Sequence, residues 1–215
     1  YLKVCQFKEM NVAIVGATGY GGIQAVNLLK KNKKYKISFL GGNKTSGSKW
    51  NDNFPFIYLD NDPYIEEISV DNISKNADVA LLCLPNGLSS TLTRKLLDRG
   101  LKVIDLSADY RYKSLDEWKK VYSKEAAIYK RNDDDLCKEA VYGLPEINKE
   151  AISKGRLIAC PGCYPTSALI PLVPYLSQGI IENEGIVIDS KSGTSGGGRE
   201  PNQKLLLSEC GEGLS

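Results

Sequence analysis

The sequence predicts an α/β fold built on a Rossmann-type, doubly wound parallel sheet. Two observations lead to this fold class. Between residues 11 and 106, short apolar segments alternate with longer amphipathic ones, as parallel strands joined by crossover helices require. The first apolar segment, 12–15, is followed at once by a glycine-rich turn and the start of a helix, which is the arrangement that holds nucleotide pyrophosphates in this fold.

The individual elements follow from the hydrophobic pattern. Strands are expected at 12–15, 37–40, 79–84, 103–106 and 157–158, and residues 185–189 form a further β-rich run. Helices are expected at about 22–31, 88–99, 115–122, 148–153 and 167–176. Gly100 ends the second of these helices, because glycine is common at helix C-termini. The rest of 42–76 and 107–156 is polar and irregular.

Composition excludes several classes of protein. The 215 residues carry 28 Lys and Arg against 26 Asp and Glu, a net charge of +2, and the lysines are scattered without interleaved aromatic residues, so nucleic acid is not an expected partner. No apolar run approaches the roughly 20 residues that span a bilayer. The six cysteines lack the dense spacing of a secreted disulfide scaffold. We therefore expect an intracellular protein without a membrane span.

The glycine-rich turn is the candidate cofactor site. Gly16, Gly19 and Gly22 keep a G-x-x-G-x-x-G spacing between strand and helix, which suits a tight turn, close approach of a pyrophosphate, and packing of helix on strand. A glycine turn without a ligand is the alternative. The candidate cofactor-binding residues of this turn are Gly16, Thr18, Gly19, Tyr20, Gly21 and Gly22.

The end of the second strand favours NADP over NAD. An NAD site usually places a carboxylate there, about 20 residues beyond the turn, to bind the ribose hydroxyls. Residues 41–46 instead read Gly-Gly-Asn-Lys-Thr-Ser. Lys44, with the hydroxyl of Thr45 or Ser46, can meet a 2′-phosphate. A solvated loop lysine is the alternative interpretation.

Cys163 is the candidate nucleophile. It lies where the strand at 157–158 passes into an apolar helix, and the unpaired N–H groups and dipole of a helix N-terminus favour thiolate over thiol. Cys160 and Cys163 also form a C-x-x-C, so a redox pair is the rival interpretation. A zinc site is disfavoured, since the sequence contains no histidine and the remaining cysteines are isolated.

A glycine-rich segment and two arginines complete the candidate site. Residues 192–199 can offer backbone N–H groups to phosphate or nicotinamide through Ser195 and Gly196, although they can also form only a loose loop. Arg111 and Arg199 are candidates for binding a substrate phosphate, with a salt-bridged surface arginine as the alternative for each.

Six sequence blocks together resemble the N-acetyl-gamma-glutamyl-phosphate reductase family, which is related to the aspartate-semialdehyde dehydrogenases. The resemblance covers most of the chain, and its most specific blocks are 103–111 and 161–166. The blocks are 16–20 (GATGY), 103–111 (VIDLSADYR), 161–166 (PGCYPT), 83–87 (CLPNG), 142–146 (YGLPE) and 192–199 (SGTSGGGR).

The resemblance implies NADP as cofactor, Cys163 as nucleophile, and a substrate site that includes Ser107. It also implies a nucleotide-binding domain over 11–162 and the start of an α+β catalytic and dimerisation domain over 163–215, and hence a homo-oligomer. The implied reaction reduces an acyl-phosphate substrate, N-acetyl-L-glutamyl 5-phosphate, to the semialdehyde in arginine biosynthesis. Family members work in the bacterial cytoplasm or, in photosynthetic eukaryotes, in plastids.

The family's catalytic histidine lies downstream of the glycine-rich segment, so the absence of histidine leads us to expect a C-terminally truncated chain. Whether such a chain is active stays open at this point. Two other functions also stay open: an acyl-phosphate reductase of the aspartate-semialdehyde dehydrogenase type, and a nucleotide-binding fragment without catalysis.

Overall fold

The computed structural model describes residues 9–199 and contains two compact units, the first ending at Pro161 and the second beginning at Gly162. The first unit is built on a six-stranded sheet of order β2-β1-β3-β4-β6-β5, in which every strand pair is parallel. The strands are β1 (Met10–Val15), β2 (Tyr35–Gly41), β3 (Val79–Leu82), β4 (Lys102–Asp105), β5 (Val141–Tyr142) and β6 (Leu157–Ala159).

Among the described residues, eight α-helices lie in the first unit and a ninth opens the second unit. They are α1 (Tyr20–Leu29), α2 (Trp50–Asn53), α3 (Val70–Ser74), α4 (Ser90–Asp98), α5 (Leu115–Val121), α6 (Ser123–Ile128), α7 (Asp134–Glu139), α8 (Pro145–Lys154) and α9 (Cys163–Ser177). Short 3-10 helices lie at Pro55–Ile57 and Thr194–Gly197. None of the helices within 9–199 has the length and apolar character needed to cross a membrane.

Local sequence explains several helix ends. The Ser114 hydroxyl caps α5 by accepting a hydrogen bond from the Glu117 N–H at 3.4 Å, and Ser69 caps α3 in the same way. Pro145 stands in the first turn of α8, where its missing N–H costs nothing. Gly100 follows α4 with φ +83°, which confirms its predicted place at the helix end.

Two apolar clusters cover the two faces of the sheet, as alternate strand residues point to opposite sides. One face packs Val15, Leu82 and Val103 against α5, with Trp118 fully buried. The opposite face packs against α1 and around Trp50. Both tryptophans of the sequence therefore lie in the core of the first unit.

The predicted α/β class and its first four strands are confirmed, with differences at the boundaries. The third strand ends at Leu82 rather than at 84, so Cys83 and Leu84 already belong to the loop. The helix α1 begins two residues earlier than expected, and α9 begins four residues earlier, which makes Cys163 its first residue.

The β-rich run at 185–189 was predicted wrongly. Within Gly162–Arg199, the described part of the second unit, no strand forms, and Val187 is 90% exposed. A β-branched run becomes a strand only when a neighbouring strand accepts its backbone hydrogen bonds.

Candidate functional site

The glycine turn after β1 packs directly against the loop that follows β3. Gly16 has φ +82°, and a Cβ placed on it would lie 2.3 Å from the Cys83 carbonyl oxygen. A Cβ on Gly22 would lie 2.3 Å from the Gly16 carbonyl oxygen and 2.6 Å from the Ala17 Cα. These two positions therefore require glycine for the fold itself.

Gly19 and Gly21 have no comparable packing requirement. A Cβ on Gly19 would find its nearest neighbour, the Gly16 carbonyl oxygen, at 3.6 Å, and one on Gly21 would meet a Leu106 methyl at 3.6 Å. Both are ordinary van der Waals distances. Glycine at these positions leaves the surface of the turn open to close approach by a ligand.

The N-terminus of α1 suits an anion. Gly19 is its N-cap and carries no side chain to accept a hydrogen bond, and the first turn is Tyr20-Gly21-Gly22. The first N–H groups of a helix have no intrahelical acceptor, and the helix dipole is positive at this end. Tyr20 and Gly21 are exposed and Thr18 is half-buried, so the predicted turn residues surround one accessible helix end. These residues fit the pyrophosphate of a dinucleotide.

The end of β2 carries the residues predicted to choose the cofactor. Lys44 and Ser46 are both exposed there. The structure also places Glu66 beside the end of β2, which the sequence of residues 41–46 does not indicate. Its N–H donates to the Leu40 carbonyl at 2.8 Å, and its own carbonyl accepts from the Gly42 N–H at 3.0 Å.

Asp105, at the end of β4, forms a buried network with the residues that follow it. The Ser107 hydroxyl donates to Asp105 Oδ2 at 2.7 Å and the Ser107 N–H to Oδ1 at 3.0 Å. The Asp109 N–H donates to Ser107 Oγ at 3.2 Å. Ser107, predicted to contact substrate, is buried, so its hydroxyl holds the loop together.

The environment of Asp105 disfavours its charged form. Burial, and after it the negative charge of Asp109, raises the pKa of the Asp105 carboxyl from 3.8 to about 6, against the hydrogen bonds from Ser107, which lower it. Burial also raises the pKa of Asp109, while the hydrogen bonds from the Gly87 and Ser90 N–H groups oppose that rise.

Asp109 ties the loop after β3 to the loop after β4. Its carboxylate accepts from the Gly87 N–H at 2.5 Å and from the Ser90 N–H at 2.9 Å. In the reverse direction, the Ala108 N–H donates to Asn86 Oδ1 at 2.9 Å. The two loops therefore behave as one hydrogen-bonded body.

A buried arginine, Arg131, stabilises the loop after β4. Arg131, 2% exposed in its side chain, forms a two-point ion pair with Asp133 at 3.0 Å and 3.0 Å. It stacks between the rings of Tyr110 and Trp118, at 4.8 Å and 4.5 Å from their centroids. Its Nη1 donates to the Asp109 carbonyl at 2.6 Å.

Arg111, predicted to bind a substrate phosphate, is committed in part to backbone. Its Nε donates to the Cys160 carbonyl at 2.7 Å and its Nη2 to the Leu106 carbonyl at 2.9 Å. These bonds fix the end of β6, three residues before Cys163.

The described cysteines fall into two kinds, and all four are free thiols. Burial, followed by the charge of Asp105, raises the pKa of Cys83 to about 12 and that of Cys160 to about 11. Burial likewise raises the pKa of Cys137 to about 11. These three groups are protonated near neutral pH. Cys163, by contrast, is exposed.

Within the second unit, Cys163 and the glycine-rich segment lie close together. Cys163 is the first residue of α9, and its Sγ lies 3.9 Å from Ser192 Oγ. A Cβ on Gly196 would lie 2.5 Å from that same hydroxyl, so Ser192 bridges the thiol and the 3-10 turn that contains Ser195 and Gly196. Ser192 was not singled out from the sequence, because its spacing from Cys163 carries no signal. Arg199 is exposed at the end of the described residues.

Comparison with known proteins adds two family matches. Residues 11–155 match the family model described as semialdehyde dehydrogenase, NAD binding domain. Residues 163–215 match the model described as semialdehyde dehydrogenase, dimerisation domain.

Two curated relatives from Prochlorococcus marinus strains are both named N-acetyl-gamma-glutamyl-phosphate reductase. One is 98% identical over 206 residues, which are 96% of this chain and 59% of the relative. The other is 56% identical over 204 residues, covering 95% of this chain and 57% of the relative. The chain thus spans less than two thirds of the length of these relatives.

Solved structures share the fold at low sequence identity. Aspartate semialdehyde dehydrogenase II from Vibrio cholerae, complexed with ASA, superposes with a TM-score of 0.55 at 23% identity and covers 79% of this chain and 47% of its own. Aspartate semialdehyde dehydrogenase with NADP from Candida albicans gives a TM-score of 0.57 at 18% identity, over 80% of this chain and 48% of its own.

Proposed function

Because the chain belongs to the semialdehyde dehydrogenase family, we propose that the protein reduces N-acetyl-L-glutamyl 5-phosphate to N-acetyl-L-glutamate 5-semialdehyde with NADPH, in arginine biosynthesis. The observation that carries the proposal is the exposed Cys163, which is the first residue of α9. The chain is also 98% identical to a relative named N-acetyl-gamma-glutamyl-phosphate reductase. The proposed division of labour is a nucleotide-binding domain over 11–162 and the beginning of a catalytic and dimerisation domain over 163–215.

The geometry of the glycine turn supports a nicotinamide dinucleotide. Gly16 and Gly22 close the turn, Gly19 and Gly21 leave it open, and the N–H groups of Tyr20 and its neighbours would hold the pyrophosphate. For NADP, the exposed Lys44 and Ser46 would bind the 2′-phosphate. Lys44→Ala is expected to weaken NADP binding about tenfold and to leave NAD binding unchanged, with Lys31→Ala as the exposed control.

Cys163 performs the first chemical step. Its thiolate attacks the acyl carbon of the substrate, the bond from that carbon to the phosphate oxygen breaks, and inorganic phosphate leaves with the electron pair. A thioester to Sγ remains. Bound NADPH would supply the hydride that reduces this thioester. Loss of the sulfur from the resulting hemithioacetal restores the Cys163 thiolate and releases the semialdehyde.

Backbone and side-chain donors would hold the phosphate that leaves. The turn at Ser195 and Gly196 lies beside Ser192, which contacts the Cys163 thiol. Its N–H groups and the guanidinium of Arg199 are the proposed donors in the second unit. Substrate binding by Arg111 stays a prediction from the sequence.

The proposed setting follows the relatives. The match of 163–215 to a dimerisation domain supports a homo-oligomer, and relatives in bacteria support the cytoplasm as the compartment. The partners proposed are a small acyl-phosphate substrate and other copies of the chain.

One substitution separates the enzyme from the alternatives. Incubation with N-acetyl-glutamyl phosphate should add an acyl group to the protein, seen by intact mass, and Cys163→Ser should abolish that thioester while NADP affinity stays the same. Cys160→Ser is the matched control and should retain the adduct. If Cys160→Ser also loses it, Cys163 alone does not account for the adduct, and the assignment of the nucleophile is contradicted.

The substrate is tested by replacing the acyl phosphate. Faster adduct formation with aspartyl phosphate would favour an aspartate-semialdehyde dehydrogenase type of reductase. A parent chain that binds NADP but forms no adduct with either compound would favour a nucleotide-binding module without catalysis.

A further inference from the structure

The loop after β3 is held in place by a buried carboxylate that the proposed chemistry does not use. We infer that Asp109 is a positioning residue for the cofactor: by fixing residues 85–90, it shapes the wall of the crevice that receives the nicotinamide half of the dinucleotide. This inference rests on the proposed nucleotide function and assigns the cofactor's two halves to different parts of the first unit.

Strand order places that loop at the cofactor crevice. The chain passes from β1 to β2 on one side of β1 and to β3 on the other, so the order β2-β1-β3 reverses direction between β1 and β3. In open parallel sheets, dinucleotides bind outside the carboxyl ends of the strands at this reversal. The end of β2 takes the adenosine ribose, so the loop after β3 faces the nicotinamide half.

Direct contact between the two loops supports this placement. A Cβ on Gly16 would lie 2.3 Å from the Cys83 carbonyl oxygen and 3.1 Å from a Leu84 methyl, so the glycine turn rests on the start of the loop after β3. The loop after β3 therefore starts at the edge of the site that holds the pyrophosphate.

The conformation of this loop depends on Asp109. Gly87 has φ +85°, and its open side is filled by the Tyr129 ring, which a Cβ would overlap. Its N–H points to Asp109 Oδ1 at 2.5 Å, and the Ser90 N–H, at the first residue of α4, points to Oδ2 at 2.9 Å. Each carboxylate oxygen thus holds one end of the segment 87–90.

Only a carboxylate satisfies both donors. An amide at position 109 has one oxygen and one NH2, so it would leave one N–H facing another donor. Asp109 itself is 0% exposed, and Arg131 holds its backbone carbonyl at 2.6 Å, so the residue is enclosed and its main chain is fixed in place. The loss of a charge-assisted buried hydrogen bond is among the larger single-bond effects in proteins.

The test compares two ligands on the same chain. NADP⁺ contains both halves of the cofactor, whereas 2′,5′-ADP contains only the adenosine half with its 2′-phosphate. Asp109→Asn is expected to weaken NADP⁺ binding about tenfold and 2′,5′-ADP binding by less than about twofold, measured by titration calorimetry. The control is Asp71→Asn, the same chemical change at an exposed carboxylate on α3, which should alter neither affinity.

A second variant guards against misfolding. Asn86→Ala removes the acceptor of the Ala108 N–H but leaves both hydrogen bonds to the Asp109 carboxylate in place, and it should show the same selective loss of NADP⁺ affinity. In both variants, amide hydrogen exchange should increase over residues 86–90 and stay at parent rates over residues 16–22.

The outcomes distinguish the inference from the proposed function. Equal weakening of both ligands, or no change in NADP⁺ affinity, overturns the positioning role while leaving the nucleotide site intact. A parent chain that binds neither ligand overturns the nucleotide function, and the inference with it.

Discussion

The carboxyl of Asp105 is expected to make the first unit less stable as pH rises, and Asp105→Asn removes that effect. Asp105 is fully buried, and its pKa is raised from 3.8 to about 6. The groups that act on it include the Ser107 hydroxyl and N–H, the Ser89 side chain and the Asp109 carboxylate. Its own charge raises the pKa values of the Cys83 and Cys160 thiols. The ionised form therefore gains hydrogen bonds but is opposed by burial and by the charge of Asp109.

The sign follows from proton linkage. Between the ordinary value of 3.8 and the folded value of about 6, the folded protein binds a proton that the unfolded chain has released. The contribution of Asp105 is therefore most favourable below 3.8 and is lost as pH rises to about 6. The separation of the two pKa values corresponds to about 3 kcal/mol of unfolding free energy.

Tryptophan fluorescence in urea measures this quantity for the first unit alone, because Trp50 and Trp118 both lie in its core. Relative to the parent, Asp105→Asn should gain about 2 kcal/mol between about pH 4 and about pH 7, because part of the full change already occurs below pH 4. Asp71→Asn, at an exposed site, should show no such gain. The reasoning is refuted if the difference between Asp105→Asn and the parent is the same at both pH values.

Two further predictions concern glycine and arginine. Gly22→Ala should prevent folding of the nucleotide turn, because its Cβ would lie 2.3 Å from the Gly16 carbonyl oxygen. Gly19→Ala, by contrast, should melt at the same temperature as the parent and bind NADP at least about tenfold more weakly. Thermal melting with and without NADP measures both, and parent-like binding by Gly19→Ala would contradict a pyrophosphate contact there. Arg131→Met should lower the unfolding free energy by about 3–5 kcal/mol, because it leaves the buried Asp133 carboxylate unpaired. Urea denaturation followed by tryptophan fluorescence checks this, and a loss below about 1 kcal/mol would mean that stacking and ion pairing at Arg131 contribute little.

The strands of the nucleotide-binding fold were predictable because each is a short apolar run bounded by a polar or glycine-rich segment. β5 was not, since Val141–Tyr142 contributes only two residues and pairs solely with β6. The failure at 185–189 has the opposite cause: β-forming residues are present, but the described part of the second unit supplies no partner strand.

Among the site residues too, local motifs were predictable from the sequence, whereas contacts between distant residues were not. The turn at Gly16, Gly19 and Gly22 is local, so its spacing, together with the strand before it and the helix after it, indicated it. The network around Asp109 joins residues 22 positions apart, and nothing in the spacing of Gly87 and Asp109 signals a hydrogen bond. A usable clue was present in 105–109, where two aspartates flank small and hydroxyl residues at the end of an apolar strand. Two acidic groups at a sheet's carboxyl edge need buried donors.

The position of β6 between β4 and β5 has a consequence for biosynthesis. During translation, β1 to β4 emerge first and can assemble, but β4 then presents an open edge until residues 157–159 leave the ribosome. More than fifty residues are synthesised in that interval. An unpaired parallel edge is an aggregation hazard, and for this stretch of synthesis the edge of β4 has no partner strand yet.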